Sequence, residues 1–244
     1  MTGRLAPFAT LAVTGALALS ACGDDAPVEP TEPTTVTVTN TPEAEAADAP
    51  EQQELTAKKL KAALPTLEEA PAGFVKHPDG FDAALKSKRT TDPETCLAAY
   101  LDTPEIREWE DKHVSEGEGV RYAQKNGGTP TPQLSVAIWT FDEPYPKRFF
   151  DEAGASLAEC TTFTSRTDPD ANDVEQTAQH IGSPVVGDQT IGVRIGNEET
   201  DIAVDYIWVR SGHNLISARM VTGFRANNEE RLGAFVTDAL EDLK

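Results

Sequence analysis

The sequence predicts an α+β fold, a curved antiparallel sheet with helices packed on one face. Three observations predict it. Helical and strand patterns are mixed early in the chain, whereas four apolar alternations follow one another near its end without an intervening helix. A strictly alternating order of strand and helix would instead imply a parallel sheet. The last two alternations are separated by Ser211-Gly212-His213-Asn214, a hairpin signal that makes neighbours antiparallel. The chain then closes on one amphipathic stripe, and no period repeats along it.

Taken in order, "LTAKKLKAAL" at 55–64 sets Leu60 and Leu64 four apart, and Pro65 ends the helix. "TDPETCLAAYLD" offers Asp92 as a cap with Pro93 at the first helical position, and Thr103-Pro104 opens a second such helix. "LSVAIWTF" at 134–141 is a buried strand. "YPKRFFDEAGASLAECTTF" is helical, with Phe150, Ala153, Leu157 and Cys160 on one face. Strands follow at 174–181, 190–195, 202–210 and 215–221. In the closing helix Leu232, Phe235, Val236, Ala239, Leu240 and Leu243 form the stripe, and Asn227 with Glu230 suits a capping arrangement.

The N-terminal region is of a different kind. Arg4 precedes an apolar run from Leu5 to Leu19, too short for a comfortable membrane span and broken by Pro7 and Gly15. A charged start, a short apolar stretch and small residues before a cut site define a secretory signal. Leu19-Ser20-Ala21-Cys22 resembles the bacterial lipobox, which implies cleavage before Cys22 and diacylglycerylation of its thiol. Residues 23–54 contain no aromatic residue, no Lys and no Arg, but nine acids and five prolines. Such a segment cannot bury enough apolar surface to offset its ordering entropy. The expected organisation is a lipoprotein signal peptide at 1–21, a lipidated Cys22 with a disordered acidic tether at 22–54, and a single extracytoplasmic domain at 55–244.

Forty-one acidic residues against 21 basic ones give a formal charge of −20. That balance argues against nucleic acid, whose phosphates need clustered Lys and Arg. It equally disfavours adsorption on an anionic membrane surface, so attachment falls to the lipid on Cys22. With Cys22 acylated, Cys96 and Cys160 remain as an even pair in an oxidising compartment, where a disulfide is expected. Two buried free thiols are the alternative; a redox pair lacks its Cys-x-x-Cys spacing.

The chain offers little chemistry. Gly154-Ala155-Ser156-Leu157-Ala158 lacks the second glycine of a nucleophile elbow and lies in a helix. His77, His113, His180 and His213 have no metal-ligand spacing. Asp168, Asp170 and Asn172 begin like a calcium loop, but Asp173 stands where the turn wants glycine and Gln179 where a bidentate glutamate belongs. An Asp- and Pro-rich turn is the simpler reading. Glu108, Glu110 and Asp111 read as a solvated helix face. Trp139, Phe141, Tyr206 and Trp208 on strands, with Phe149 and Phe150 on a helix, are core or the lining of a cleft between sheet and helices. No catalytic, metal-binding or cofactor-binding residues are expected.

The opening helix running into "APAGF", the helical cysteine in "DPETCLAAYL", the second cysteine in "LAECTTF" and the closing amphipathic helix resemble the extracellular sensor-type domain of actinobacterial serine/threonine kinases of the PknH kind, over residues 55–244. The resemblance implies α+β architecture, an extracytoplasmic sensing or accessory role, and no catalytic residues. Members of that family often carry two disulfides; here one pair is available. The expected function is a membrane-anchored binding or accessory domain of the cell envelope. Its partner would be a wall component, an amphiphile or a membrane protein. A wall-modifying hydrolase and a structural subunit of an envelope complex are the alternatives.

Overall fold

The computed structural model describes residues 47–244. The signal peptide, Cys22 and the tether as far as residue 46 lie outside the described residues.

Nine antiparallel strands form one sheet: β1 (Phe74–Lys76), β2 (Thr90–Asp92), β3 (Val114–Gln124), β4 (Gln133–Phe141), β5 (Phe163–Arg166), β6 (Val174–His180), β7 (Gln189–Asn197), β8 (Ile202–Ser211) and β9 (Asn214–Thr222). Their spatial order is β1-β3-β4-β9-β8-β7-β6-β5-β2. Four α-helices accompany them: α1 (Ala57–Ala62), α2 (Pro104–His113), α3 (Lys147–Ser156) and α4 (Glu229–Asp242). The α+β class and the antiparallel order are those the sequence predicts.

The helices, however, cover both faces of the sheet rather than one. Along β4, Leu134, Val136 and Ile138 join a core completed by Leu60 of α1 and Leu232, Val236 and Leu240 of α4. The alternate residues Ala137, Trp139 and Phe141 join a second core with Ile106 of α2 and Phe149, Phe150 and Ala153 of α3. Successive strand residues point to opposite faces, so an unbroken apolar run marks a strand covered on both sides. "LSVAIWTF" carries that signal.

Four strands escape a reading by periodicity. β1, β2 and β5 are short. β3 contains Gly117 and Gly119, residues depleted in strands, and its pattern is largely half-exposed. The glycines serve packing. A Cβ at Gly117 would come within 2.7 Å of the Trp139 ring, and one at Gly119 would collide with the Phe81 ring. The segment 77–89 therefore crosses β3 as a strap, and the Trp139 indole N–H holds it by donating to the Ala83 carbonyl at 2.8 Å.

Three helix starts and ends differ from expectation. Thr103 caps α2 as predicted, accepting from the Ile106 N–H. Residues Glu94–Tyr100, by contrast, form a 3-10 helix whose cap is Pro93 itself, after a cis Asp92–Pro93 bond. α3 ends at Ser156, so Cys160 sits in the turn beyond it, its N–H still bonded to the Ser156 carbonyl. Ahead of α4, the cap position is Asn228, not Asn227. Asn228 is buried, and its amide donates to Asp205 and Thr222 instead of closing the helix. Asn227 accepts from the Glu229 N–H in a local turn.

Cys96 and Cys160 are joined, with Cα atoms 5.6 Å apart and a sequence separation of 64. Closing a loop of that length stabilises the fold by about 4 kcal/mol in the chain-entropy account. The ordered unit also begins before residue 55. Glu51 and Gln52 are buried: the Gln52 amide donates to Ser211, and the Asn214 amide donates to the Glu51 and Gln53 carbonyls. These contacts seat the segment on the β8–β9 hairpin, where Gly212 has φ +51° and a side chain would strike the Gln52 backbone. Acidic, proline-rich composition does not register such backbone docking.

Candidate ligand cleft

The face carrying α2 and α3 is not filled at its centre. Across β3, β4, β9 and β8 the register places Gly119, Ala137, Ser217 and Trp208 in one row, and Arg121, Ser135, Arg219 and Tyr206 in the next. At their centre Ser135, Ala137 and Ser217 are small, where the opposite face carries Val136, Ile138, Ile216 and Met220. The result is a cleft of about 280 Å³ floored by Ser135, Ala137 and Ser217. Its walls are Trp139, Tyr206 and Trp208 from the sheet, the strap residues Phe81 and Leu85, and Tyr100 from the 3-10 helix.

The aromatic walls are mutually braced. Tyr206 and Trp208 stack with centroids 4.7 Å apart and planes 8° from parallel. Tyr100 meets the Tyr206 edge at 6.4 Å, and the Arg89 guanidinium lies 4.1 Å above the Tyr100 ring. Burial pushes the Tyr100 hydroxyl up to about 12, so it stays protonated. Of the aromatic residues singled out in the sequence, Trp139, Tyr206 and Trp208 line this cleft, while Phe141, Phe149 and Phe150 are core.

Four cationic side chains border the cleft, from Lys86, Arg89, Arg107 and Arg219, with two carboxyls, from Asp102 and Glu110. Asp102 is taken up by the scaffold: Arg107 Nε donates to it at 2.7 Å, Ser87 bonds it, and Arg89 Nε stands 3.8 Å away. Arg107 also donates to the Arg89 carbonyl at 2.7 Å, fixing the end of the strap to α2. Glu110 is not on a solvated face; it is buried, while Glu108 and Asp111 are exposed. Burial lifts its carboxyl to about 8, with Asp102 adding to the rise, against a hydrogen bond from the Tyr145 hydroxyl at 2.9 Å and the Arg107 charge. Near neutral pH it is held mainly in the uncharged form.

Arg219 stands apart. Its guanidinium lies 5.8 Å from the Tyr206 ring centroid, and its buried Nε has no hydrogen-bond partner. It borders both this cleft and the adjoining one toward Ser165 and Asn172, which shares Arg89, Tyr100 and Tyr206. The sequence reading missed Arg219, Arg89, Glu110 and the strap. A signal for the first was present: the alternate positions of β4 and β9 on one face read Ser135-Ala137-Trp139 and Leu215-Ser217-Arg219, small and cationic between bulky residues.

The histidines lie elsewhere. His113 Nδ1 is 2.7 Å from Asp142, His213 Nδ1 is 2.8 Å from the Phe141 carbonyl, His77 is near Asp79, and His180 is on exposed β6. Ser156 sits in α3 and donates to the Ala153 carbonyl. Asp168 accepts from the Asp170 N–H at 2.9 Å, a local turn. Among the described residues no group of three or more His, Cys, Asp or Glu side chains is gathered as a metal site, and no helix is long and apolar enough to cross a membrane.

Comparison with solved structures places the fold. The extracellular domain of PknH from Mycobacterium tuberculosis matches with a TM-score of 0.59 and 14% identity, over 79% of this chain and 98% of that one. An Rv0999 ortholog from Mycobacterium smegmatis matches at a TM-score of 0.40 and 13% identity, over 75% of this chain and 96% of its own. The chain therefore has a PknH-like extracellular-domain fold. No protein-family model and no curated protein matches it.

Proposed function

We propose that this protein is a lipid-anchored, non-catalytic binding domain on the outer face of a bacterial cytoplasmic membrane, and that it holds an amphiphilic envelope molecule in the cleft. The observation that carries the reading is the floor of Ser135, Ala137 and Ser217 beneath the Trp139, Tyr206 and Trp208 walls. Small side chains there leave apolar area open that close packing would otherwise cover. Apolar surroundings with a few placed polar groups are what small-molecule sites require. The lipobox at Leu19-Ser20-Ala21-Cys22 supports the anchor, and the likeness to an extracellular kinase domain supports the extracytoplasmic address and the sensing or accessory role.

A second reading has one observation in its favour. Asp102 and Glu110 both border the cleft, and a carboxyl held neutral beside a second carboxyl can serve acid–base chemistry. Engagement of Asp102 by Arg107 and Ser87 favours a positioning role instead.

Native mass spectrometry of the chain isolated from its own membrane tests the proposal. The expected spectrum shows mature protein starting at Cys22 with the added mass of a diacylglyceryl group, together with a bound amphiphile. Protein that retains Met1, or that carries no amphiphile and cleaves wall polymers, contradicts it.

A further inference from the structure

The cleft's charges narrow the ligand class, given the binding role just proposed. In a chain with 41 acids and 21 bases, a recess bordered by four cations and two carboxyls runs against the overall sign. Asp102 is consumed by Arg107 and Arg89. The Arg219 Nε, in contrast, is buried and has no hydrogen-bond partner. Arg121 stands two strands away in the same cross-strand row, its Nε likewise buried and unpartnered and its guanidinium 5.8 Å from the Phe81 ring. Ser135 lies between the two in register, a hydroxyl donor in the same row.

Both arginines are half-buried, but a buried guanidinium N–H without an acceptor is costly, and an anion in the cleft would supply one. The guanidinium fork suits the planar carboxylate and the phosphate oxygens alike. Beside it, the stacked Tyr206–Trp208 pair offers an apolar seat without a charged group of its own. We propose that the cleft selects an anionic amphiphile, with Arg219 receiving its phosphate or carboxylate head and the Tyr206–Trp208 wall its apolar body.

The test is titration calorimetry on the full chain in phosphatidylcholine nanodiscs, with empty nanodiscs as blank. The probes are octyl phosphate, the uncharged 1-octanoylglycerol, and inorganic phosphate. A charge-assisted pair predicts that octyl phosphate binds at least ~10-fold more tightly than octanoylglycerol. Inorganic phosphate alone should bind more weakly than octyl phosphate. Arg219→Gln should bring octyl phosphate affinity down to that of octanoylglycerol, abolishing the preference, while Arg219→Lys should retain part of it. Equal binding of octyl phosphate and octanoylglycerol would overturn the headgroup assignment and leave an amphiphile cleft standing. Inorganic phosphate binding as tightly as octyl phosphate would overturn the apolar seat. Failure of all three probes would overturn both this assignment and the cleft reading on which it rests. The comparison of probes on the unaltered chain decides even if a variant does not fold.

Discussion

At the scale of single residues, Glu110 is where the cleft's electrostatics meet stability. The groups facing it are the Tyr145 hydroxyl, which donates to it, Asp102 and Arg107. Its carboxyl rises from an ordinary 4.5 to about 8 because burial penalises the charge. Below pH 4.5 the group is protonated in both folded and unfolded chains, and its contribution to stability is complete. As pH rises toward 8, only the unfolded chain sheds the proton, so stability falls across that window by up to roughly 1.4 kcal/mol per pH unit. Glu110→Gln keeps an acceptor for Tyr145 and cannot ionise. Urea midpoints should coincide for the two proteins at pH 4, and the variant should be the more stable at pH 8. A variant with unchanged pH dependence would show that Glu110 is hydrated. The composition gave no hint of this: a Glu-x-Glu-Asp cluster on a helix looks solvated until α2 is placed against the Tyr145 side chain.

At the scale of elements, the strap over β3 and the docked segment at 50–53 are the features least visible in the amino-acid order. Strands β6, β7, β8 and β9 and the β8–β9 hairpin follow from alternation and from the Ser-Gly-His-Asn turn, and β4 from its unbroken apolar run, because these patterns record burial directly. β3 does not, because its glycines answer to what lies on top of them. Phe81 covers Gly119, and Trp139 lies against Gly117. Gly119→Val places a branched side chain where the Phe81 ring rests, an overpacking that costs ~1–3 kcal/mol. We expect the strap to lift while the Cys96–Cys160 link and both cores persist. Limited chymotrypsin digestion should then cut at Phe81 in the variant long before it cuts the parent, and a cut pattern identical to the parent's would contradict the strap's dependence on the glycine. The helix ends follow a similar rule: Thr103 caps as its side chain predicts, whereas Asn228 serves the buried Asp205 carboxylate, which also receives two bonds from Arg194. A long-range partner outweighs a local cap there.

At the scale of the whole molecule, the sheet separates two tasks between its faces. Against the sheet, the face under α1 and α4 is filled with large aliphatics, while the face under α2 and α3 narrows to small residues at its centre and leaves a recess. One strand pattern therefore encodes both a core and a cleft, and the second is legible only when the two alternating sets are read separately. That division is the central claim, and the protein's three tryptophans report on it. Trp139 and Trp208 line the cleft, whereas Trp109 is packed among His113, Phe141, Tyr145 and Phe149. The direct measurement is a two-dimensional NMR titration of the three indole N–H signals with octyl phosphate. The account predicts saturable shifts at Trp139 and Trp208 with Trp109 still, and shifts confined to Trp109, or none at all, would contradict it.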